Sequence, residues 1–325
     1  MGLAALIVAL LLEQARPLER DHRAYRLVRA ASNWIEANTN AGQAQHGAYA
    51  WLGLTGGSCA LVLAAGWLLE QVHPLAAFGL HVAVLYCTVS LRDLVRALTG
   101  IQVAFEAADP DGARATLERW LRQVDLEPPP TLTGVAETCR VAVGHALVLA
   151  HRQLFGPLCW YVLLPGASGP LLYRLAEHLA RRWQERPAGA ALGPRTSAHA
   201  TEPYGRFAQA AYRLLDWLPL RLTAAGFAVV GNFEDAVYCW RGSNAVPARD
   251  AQRSVLLGAG GGALGLHLAD ARLDAQWAAS PTGFDWSGAA PTPAALIDAV
   301  GLVWRALALW LLLYALMTVA GWLAR

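Results

Sequence analysis

Apolar residues fall in long blocks along this chain. The runs are Leu3 to Leu12, Ala48 to Leu69, Leu75 to Leu91, Ala146 to Leu179, Leu214 to Arg241 and Val300 to Leu323, separated by arginine-rich or Pro/Gly-rich stretches. Blocks of this kind predict membrane helices, because about 20 apolar residues span the hydrocarbon of a bilayer. The first block is short, so it must extend to about Ala15, tilt, or enter partway. The second and third meet at His73-Pro74 and form a membrane hairpin, with Arg92, Asp93 and Arg96 marking the return to the cytoplasmic side. Gly53, Gly56, Gly57 and Ser58 give its first arm a small-residue face suited to close helix contact.

The central stretch, Gly144 to Arg182, is interrupted by Pro157, Pro165-Gly166 and Gly169-Pro170. Peptide groups freed at such breaks have no water to bond at membrane depth, so they must be sheltered by protein or a wet cavity. The pattern predicts a hairpin, 146–164 and 171–179, joined by residues 165–169. The fold class expected is all-α: a polytopic helical membrane protein with a broken-helix, re-entrant-like central hairpin and short cytoplasmic helices.

Between the apolar blocks, Arg16 to Trp34 carries arginines three and four apart, as on a helix with a basic face at the headgroups or in water. Residues 99–142 read as a helical insert. Asp109-Pro110-Asp111-Gly112 starts one helix, Pro128-Pro129-Pro130 stops it, and Thr131-Leu132-Thr133 caps the next. Residues 186–203, rich in Pro, Gly, Ala and Ser/Thr, read as a linker. The resulting division is an N-terminal membrane region over residues 1–185, containing the insert 99–142 and the hairpin 144–182, then the linker 186–203, then a C-terminal membrane region over residues 204–325. In that last region Pro219 kinks a membrane helix running from Leu214 to Arg241. Residues 269–293 read as an irregular loop with Trp277 and Trp286 as interface anchors. Gly258 to Leu268 reads as close helix packing, since neither a preceding strand nor a suitably placed acid supports a dinucleotide fingerprint. The arginine blocks place 16–46, 92–140 and 181–213 in the cytoplasm and 232–293 outside.

Composition agrees with a membrane protein: 55% of residues are hydrophobic and 15% charged. The basic residues are all arginine and scattered in blocks, and the formal net charge is only +2. That excludes a nucleic-acid partner and leaves membrane lipid. The five cysteines form no C-x-x-C pair, which removes a structural zinc or redox motif. No P-loop, G-x-S-x-G or H-E-x-x-H is present, so no catalytic residue, metal or cofactor is assigned from motifs. The candidate ligand-binding residues are polar groups set in apolar surroundings: His145, His151, Arg152, Arg174, Glu177, Asp216 and Arg221. His145 and Arg152 are seven apart and so share one side of a helix. Arg174 and Glu177 belong to a charge ladder, and Asp216 and Arg221 flank Pro219. Such a set suits an anionic ligand or a segment of another membrane protein.

The run Glu137 to Arg182, together with LLDWLPLRLTAAGFAVVGNFEDAVYCWR from Leu214, resembles the CobD/CbiB–AmpE superfamily of bacterial inner-membrane proteins. Leu214 to Arg241, Asp21-His22 and the closing segment from Thr292 are most similar to its AmpE branch. That branch implies a multi-pass inner-membrane sensory or regulatory protein, a modulator of β-lactamase induction linked to cell-wall signalling. The CobD/CbiB branch implies instead ATP-dependent amide formation on a corrinoid, adenosylcobinamide-phosphate synthesis, with ATP and magnesium. In that branch an E-N-x-x-D-G run precedes A-P-L-F-W, whereas Val148, Leu149, Arg152 and Gln153 stand at its four specified places here. Its N-T-x-D is replaced by Glu177, His178 and Ala180, and an acidic pair ahead of D-W-L-P by Tyr212 and Arg213. A magnesium-ATP site needs carboxylates, so the resemblance, read this way, leans against an enzyme. An amide-forming ligase of CobD/CbiB type is the alternative, with its acids relocated to Glu137, Glu177 and Asp216.

Overall fold

A computed structural model describes residues 2–16, 18, 22–40, 43–129, 132–183, 201–244, 250–279, 284–286 and 288–323. The linker expected at 186–203 lies outside these residues, apart from its last three. Helices dominate the described residues, with one isolated β-bridge between Leu266 and Ala289 and no sheet. In chain order the helices are α1 Gly2–Ala15, α2 Arg23–Thr39, α3 Ala44–Trp51, α4 Gly57–Val72, α5 Pro74–Thr88, α6 Arg92–Glu106, α7 Pro110–Gln123 and α8 Gly134–Ala150. They continue as α9 Gly156–Leu163, α10 Ser168–Arg182, α11 Thr201–Val230, α12 Phe233–Ser243, α13 Ala251–Leu264, α14 Ala271–Ala278 and α15 Ala294–Leu323. Two five-residue π-helical segments, Leu52–Gly56 and His151–Phe155, join α3 to α4 and α8 to α9.

Among the described residues, three helical stretches are long and apolar enough to cross a membrane: Ala44–Val72, Pro74–Glu106 and Ala294–Leu323. Their side chains are mostly uncovered by protein, Leu61, Trp67, Leu75, Leu312 and Met317 among them. Apolar surface on that scale belongs against lipid. The fold is therefore all-α and polytopic.

By packing, the chain forms two compact units, residues 1–90 with 152–219 and residues 91–151 with 220–325. In the first, α1 packs on α5 through Ala5, Leu6, Ala9 and Leu10, and α10 packs on α9, α4 and α5. His73 accepts from the Leu75 amide at 3.1 Å and Pro74 opens α5, a start that supplies one otherwise orphan donor with a partner and wastes none at the proline. The central hairpin turns through residues 164–167, where Gly166 adopts φ +68°. The turn comes where the Pro/Gly pair predicted, but the second arm is longer than expected, Ser168 to Arg182 in place of 171–179. The turn meets α4 beyond its small-residue end. Leu63 comes within contact distance of Gly166 and Cys59 within 3.8 Å of the Ser168 carbonyl, while the faces of Gly53, Gly56 and Gly57 are open.

In the second unit, α13 lies in a bed of close contacts. A side chain at Gly258 would strike Ser243 and Cys239 of α12, one at Gly260 would strike Leu147 of α8, and one at Gly262 would strike Asp235 and Ala236. The glycine run is a helix-packing surface, as read from sequence. Several expectations are corrected here. The apolar run Leu214 to Arg241 is not one helix. It breaks at Gly231-Asn232, where the Asn232 side chain caps α12 by accepting from the Asp235 amide at 3.3 Å. The stretch 269–293 is not wholly irregular, because Asp270 caps α14 by accepting from the Leu273 amide at 2.8 Å. Trp277 on that helix is a core residue and not an interface anchor: its indole N–H donates to the buried Ser254 hydroxyl at 2.7 Å. Thr133 starts α8 as expected, but its hydroxyl donates to Glu137 at 3.2 Å and makes no cap to a helix amide.

Candidate functional site

The first unit holds a buried cluster of charge and phenol made by three helical segments. Arg152 comes from the π segment, Tyr173, Arg174, Glu177 and Arg181 from α10, and Tyr212 and Asp216 from the stretch of α11 before Pro219. Glu177 and Asp216 are each only 4% exposed. A buried carboxylate is costly unless cations or donors hold it, and both are held. Arg174 contacts Glu177 at 2.5 Å and Arg181 approaches it at 3.7 Å. The Tyr173 hydroxyl donates to Asp216 Oδ1 at 2.6 Å and lies 3.2 Å from the Tyr212 hydroxyl. Arg152 lies within electrostatic reach of both carboxyls and both phenols.

The sequence builds this cluster locally. Residues 173, 176, 177 and 180 fall on one face of α10 and are buried there, so a helical register delivers Tyr173 and Glu177 one turn apart to the same side. Tyr212 and Asp216 have the same spacing on α11. Gly156 is the key to the approach: a side chain there would overlap the Tyr173 ring, so α9 and α10 reach this distance only with glycine. Gly169 serves in the same way against the Trp160 carbonyl, and the Trp160 indole N–H ties α9 to the Leu215 carbonyl of α11 at 3.1 Å. Three helices are thus fixed around one small volume. Chemically it can take an anion on its arginines and hold or pass a proton along Tyr212, Tyr173 and Asp216.

Of the seven residues singled out from sequence, four meet in this cluster: Arg152, Arg174, Glu177 and Asp216. The other three belong to the second unit. His145 turns back on its own helix, with Nδ1 2.8 Å from the Val141 carbonyl. His151 is fully buried, with Nδ1 2.9 Å from the Thr223 hydroxyl. Arg221 follows Pro219 on α11. The pairing of His145 with Arg152, inferred from a seven-residue spacing, assumed an unbroken α-helical register. The π segment beginning at His151 changes that register. Glu137 is likewise outside the cluster, since it pairs with Arg140 at 2.9 Å on the second unit's α8. Sequence reading missed Tyr173, Tyr212 and Gly156, which carry no charge. The available signal was the i, i+4 spacing of each tyrosine from a buried acid.

Fold and site together define an inner-membrane, multi-pass helical protein with a buried charged centre on a broken hairpin. The chain is 30% identical over 294 residues to the cobalamin biosynthesis protein CobD of Stutzerimonas stutzeri, covering 87% of this chain and 84% of that one. It is 31% identical over 252 residues to the protein of the same name from Chromobacterium violaceum, covering 76% of this chain and 72% of that one. The chain belongs to the CobD/CbiB family. No protein-family profile matches it, and no solved structure matches it significantly.

These relatives correct the reading that leaned against an enzyme and toward AmpE-type signalling. Both carry the name of a cobalamin biosynthesis protein. Acids missing from those positions bear only on how magnesium would be held, whereas Glu177 and Asp216 keep two buried carboxyl groups near Arg152 and Tyr173.

Proposed function

We propose that this protein acts in cobalamin biosynthesis as an inner-membrane ligase of the CobD/CbiB type, joining a corrinoid carboxyl group to an amine at the expense of ATP. The observation that carries this reading is the similarity to CobD proteins along 87% of the chain. The cluster supports it in kind: an amide-forming site must hold an anionic carboxyl or acyl phosphate and remove a proton from the attacking amine. Arg152, which is only partly buried, is suited to the first task. Asp216, linked through Tyr173 to Tyr212, is suited to the second.

Magnesium, which an ATP-dependent reaction implies, does not fit this cluster. Glu177 is engaged by two arginines and Asp216 by a phenol. Among the described residues, no three His, Cys, Asp or Glu side chains group as a metal site. Glu177 is committed to Arg174 and Arg181, and Asp216 to Tyr173.

Complementation tests the reading. A bacterium deleted for its CobD and supplied with cobyric acid is expected to regain cobalamin-dependent growth when it expresses this chain. It should not do so with Arg152→Ala or Asp216→Asn, provided both variants accumulate in the membrane. Failure of the wild-type chain to restore growth while present at normal level would overturn the assignment.

A further inference from the structure

Helix α2 buries polar groups while it leaves an apolar stripe uncovered. The face it turns toward its own unit is mixed: Ile35 packs on the apolar core, Tyr25 meets the His178 ring edge-on, and three polar side chains are held beside them. Ser32 is fully buried and 3.3 Å from His178 Nε2, Thr39 Oγ1 is 2.8 Å from the Tyr204 hydroxyl, and Glu36 lies 3.9 Å from Arg182 Nε. Its outward side carries an apolar stripe, with Asn33 and Asn38 exposed beside it. Leu27 is 69% and Trp34 68% exposed, and Ala30 and Ala37 are exposed on the same stripe, at spacings of three and four. Arg26 and Arg29 are exposed at its edge. In water this arrangement would leave a large apolar stripe uncovered with nothing gained.

Position supplies the occupant. α2 ends at Thr39 and the membrane-crossing stretch begins at Ala44, and so short a connection keeps the end of α2 within about 17 Å of the start of that stretch. Tryptophan is favoured at the headgroup level, and arginine there meets anionic phosphates. We propose that α2 lies in the plane of the membrane surface, with Leu27, Ala30, Trp34 and Ala37 at the acyl boundary and Arg26 and Arg29 on anionic phospholipid headgroups. Through Ser32 and Glu36 the same helix braces His178 and Arg182 of α10, the helix that carries Glu177.

The test uses full-length protein with its five cysteines replaced, spin-labelled at Trp34→Cys or, independently, Leu27→Cys. It is reconstituted in discs of phosphatidylcholine with or without phosphatidylglycerol. Ala115→Cys, exposed on α7, is the aqueous reference. Both α2 labels are expected to collide with oxygen in preference to a water-soluble nickel chelate, the reverse of the reference. The preference should strengthen with phosphatidylglycerol and lose that dependence in Arg26→Gln/Arg29→Gln. Nickel access equal to the reference would place the face in water. Spin–spin broadening that vanishes on dilution with unlabelled protein would make a second copy the occupant. Lipid-independent collision ratios would remove the anionic headgroup. Each of these results overturns the proposal.

Discussion

The cluster depends on individual atoms that charge counting overlooks. Tyr173→Phe keeps the ring and removes one hydroxyl, leaving the buried Asp216 without the donor at 2.6 Å. Losing a donor to a buried carboxyl costs about 1–3 kcal/mol. A fall in thermal midpoint is therefore expected, measured by unfolding in detergent, together with a loss of amide formation larger than that of Tyr212→Phe. Gly156→Ala acts by overlap with the Tyr173 ring, and inserting a methyl into such packing costs about 1–3 kcal/mol. It should also lower the midpoint, while Gly301→Ala on α15, where an added methyl meets nothing, should not. In the second unit, the Leu273 amide and the Arg253 guanidinium at 2.8 Å hold the Asp270 carboxyl below its usual range, against the opposing effect of its partial burial. A carboxyl lowered in the folded state contributes stability above its unfolded value and loses it as pH falls through the folded one. Unfolding midpoints should therefore drop on acidification below the ordinary aspartate range, and Asp270→Asn should flatten that section of the profile.

At the scale of elements, the sequence was legible where composition forces an outcome. Pro74 after His73 and Pro110 after Asp109 start α5 and α7, and each capping side chain bonds a helix amide as those residues do at helix starts. The hairpin was legible too, because Pro165-Gly166 permits few conformations other than a turn. Gly166→Leu would put a branched side chain at φ +68° and within contact of Leu63. That left-handed backbone costs about 1–2 kcal/mol for an ordinary residue, so Gly166→Leu is expected to lower the yield of folded protein in the membrane fraction, with Gly166→Asn milder. The π segments were not legible. Leu52–Gly56 carries two glycines that read equally well as a small-residue face, and His151–Phe155 contains neither Gly nor Pro; the second moved Arg152 out of its expected partnership with His145. The split at Asn232 was missed because the residues on either side are apolar enough to read as one helix. Gly231 and the capping Asn232 mark the break.

For the whole molecule, membrane class followed from hydrophobic blocks. Packing gathers segments far apart in the chain, 152–219 with 1–90 and 91–151 with 220–325. Contacts between distant segments leave no trace in local composition. The same limit applied to the site, in which Glu177 and Asp216 are brought together by α10 and α11. Arginine distribution makes a further prediction at this scale: α7 lies on the cytoplasmic side. A cysteine at Ala115 in a chain otherwise free of cysteine should resist a membrane-impermeant maleimide applied to the outer face of intact spheroplasts and react after lysis. Labelling before lysis would reverse the orientation.

The proposed amide formation, and the place of Arg152 and Asp216 in the site that performs it, can be measured together. The direct measurement is mass spectrometry of products after purified protein is incubated with an adenosylcorrinoid acid, aminopropanol phosphate and ATP. The account predicts the amide product and matching ADP release from the wild type, and loss of both in Arg152→Ala and Asp216→Asn proteins that retain the wild-type unfolding transition. Absence of product from folded wild-type protein, under conditions where a CobD relative forms it, would contradict the enzyme reading. Undiminished product from the two variants would contradict the site.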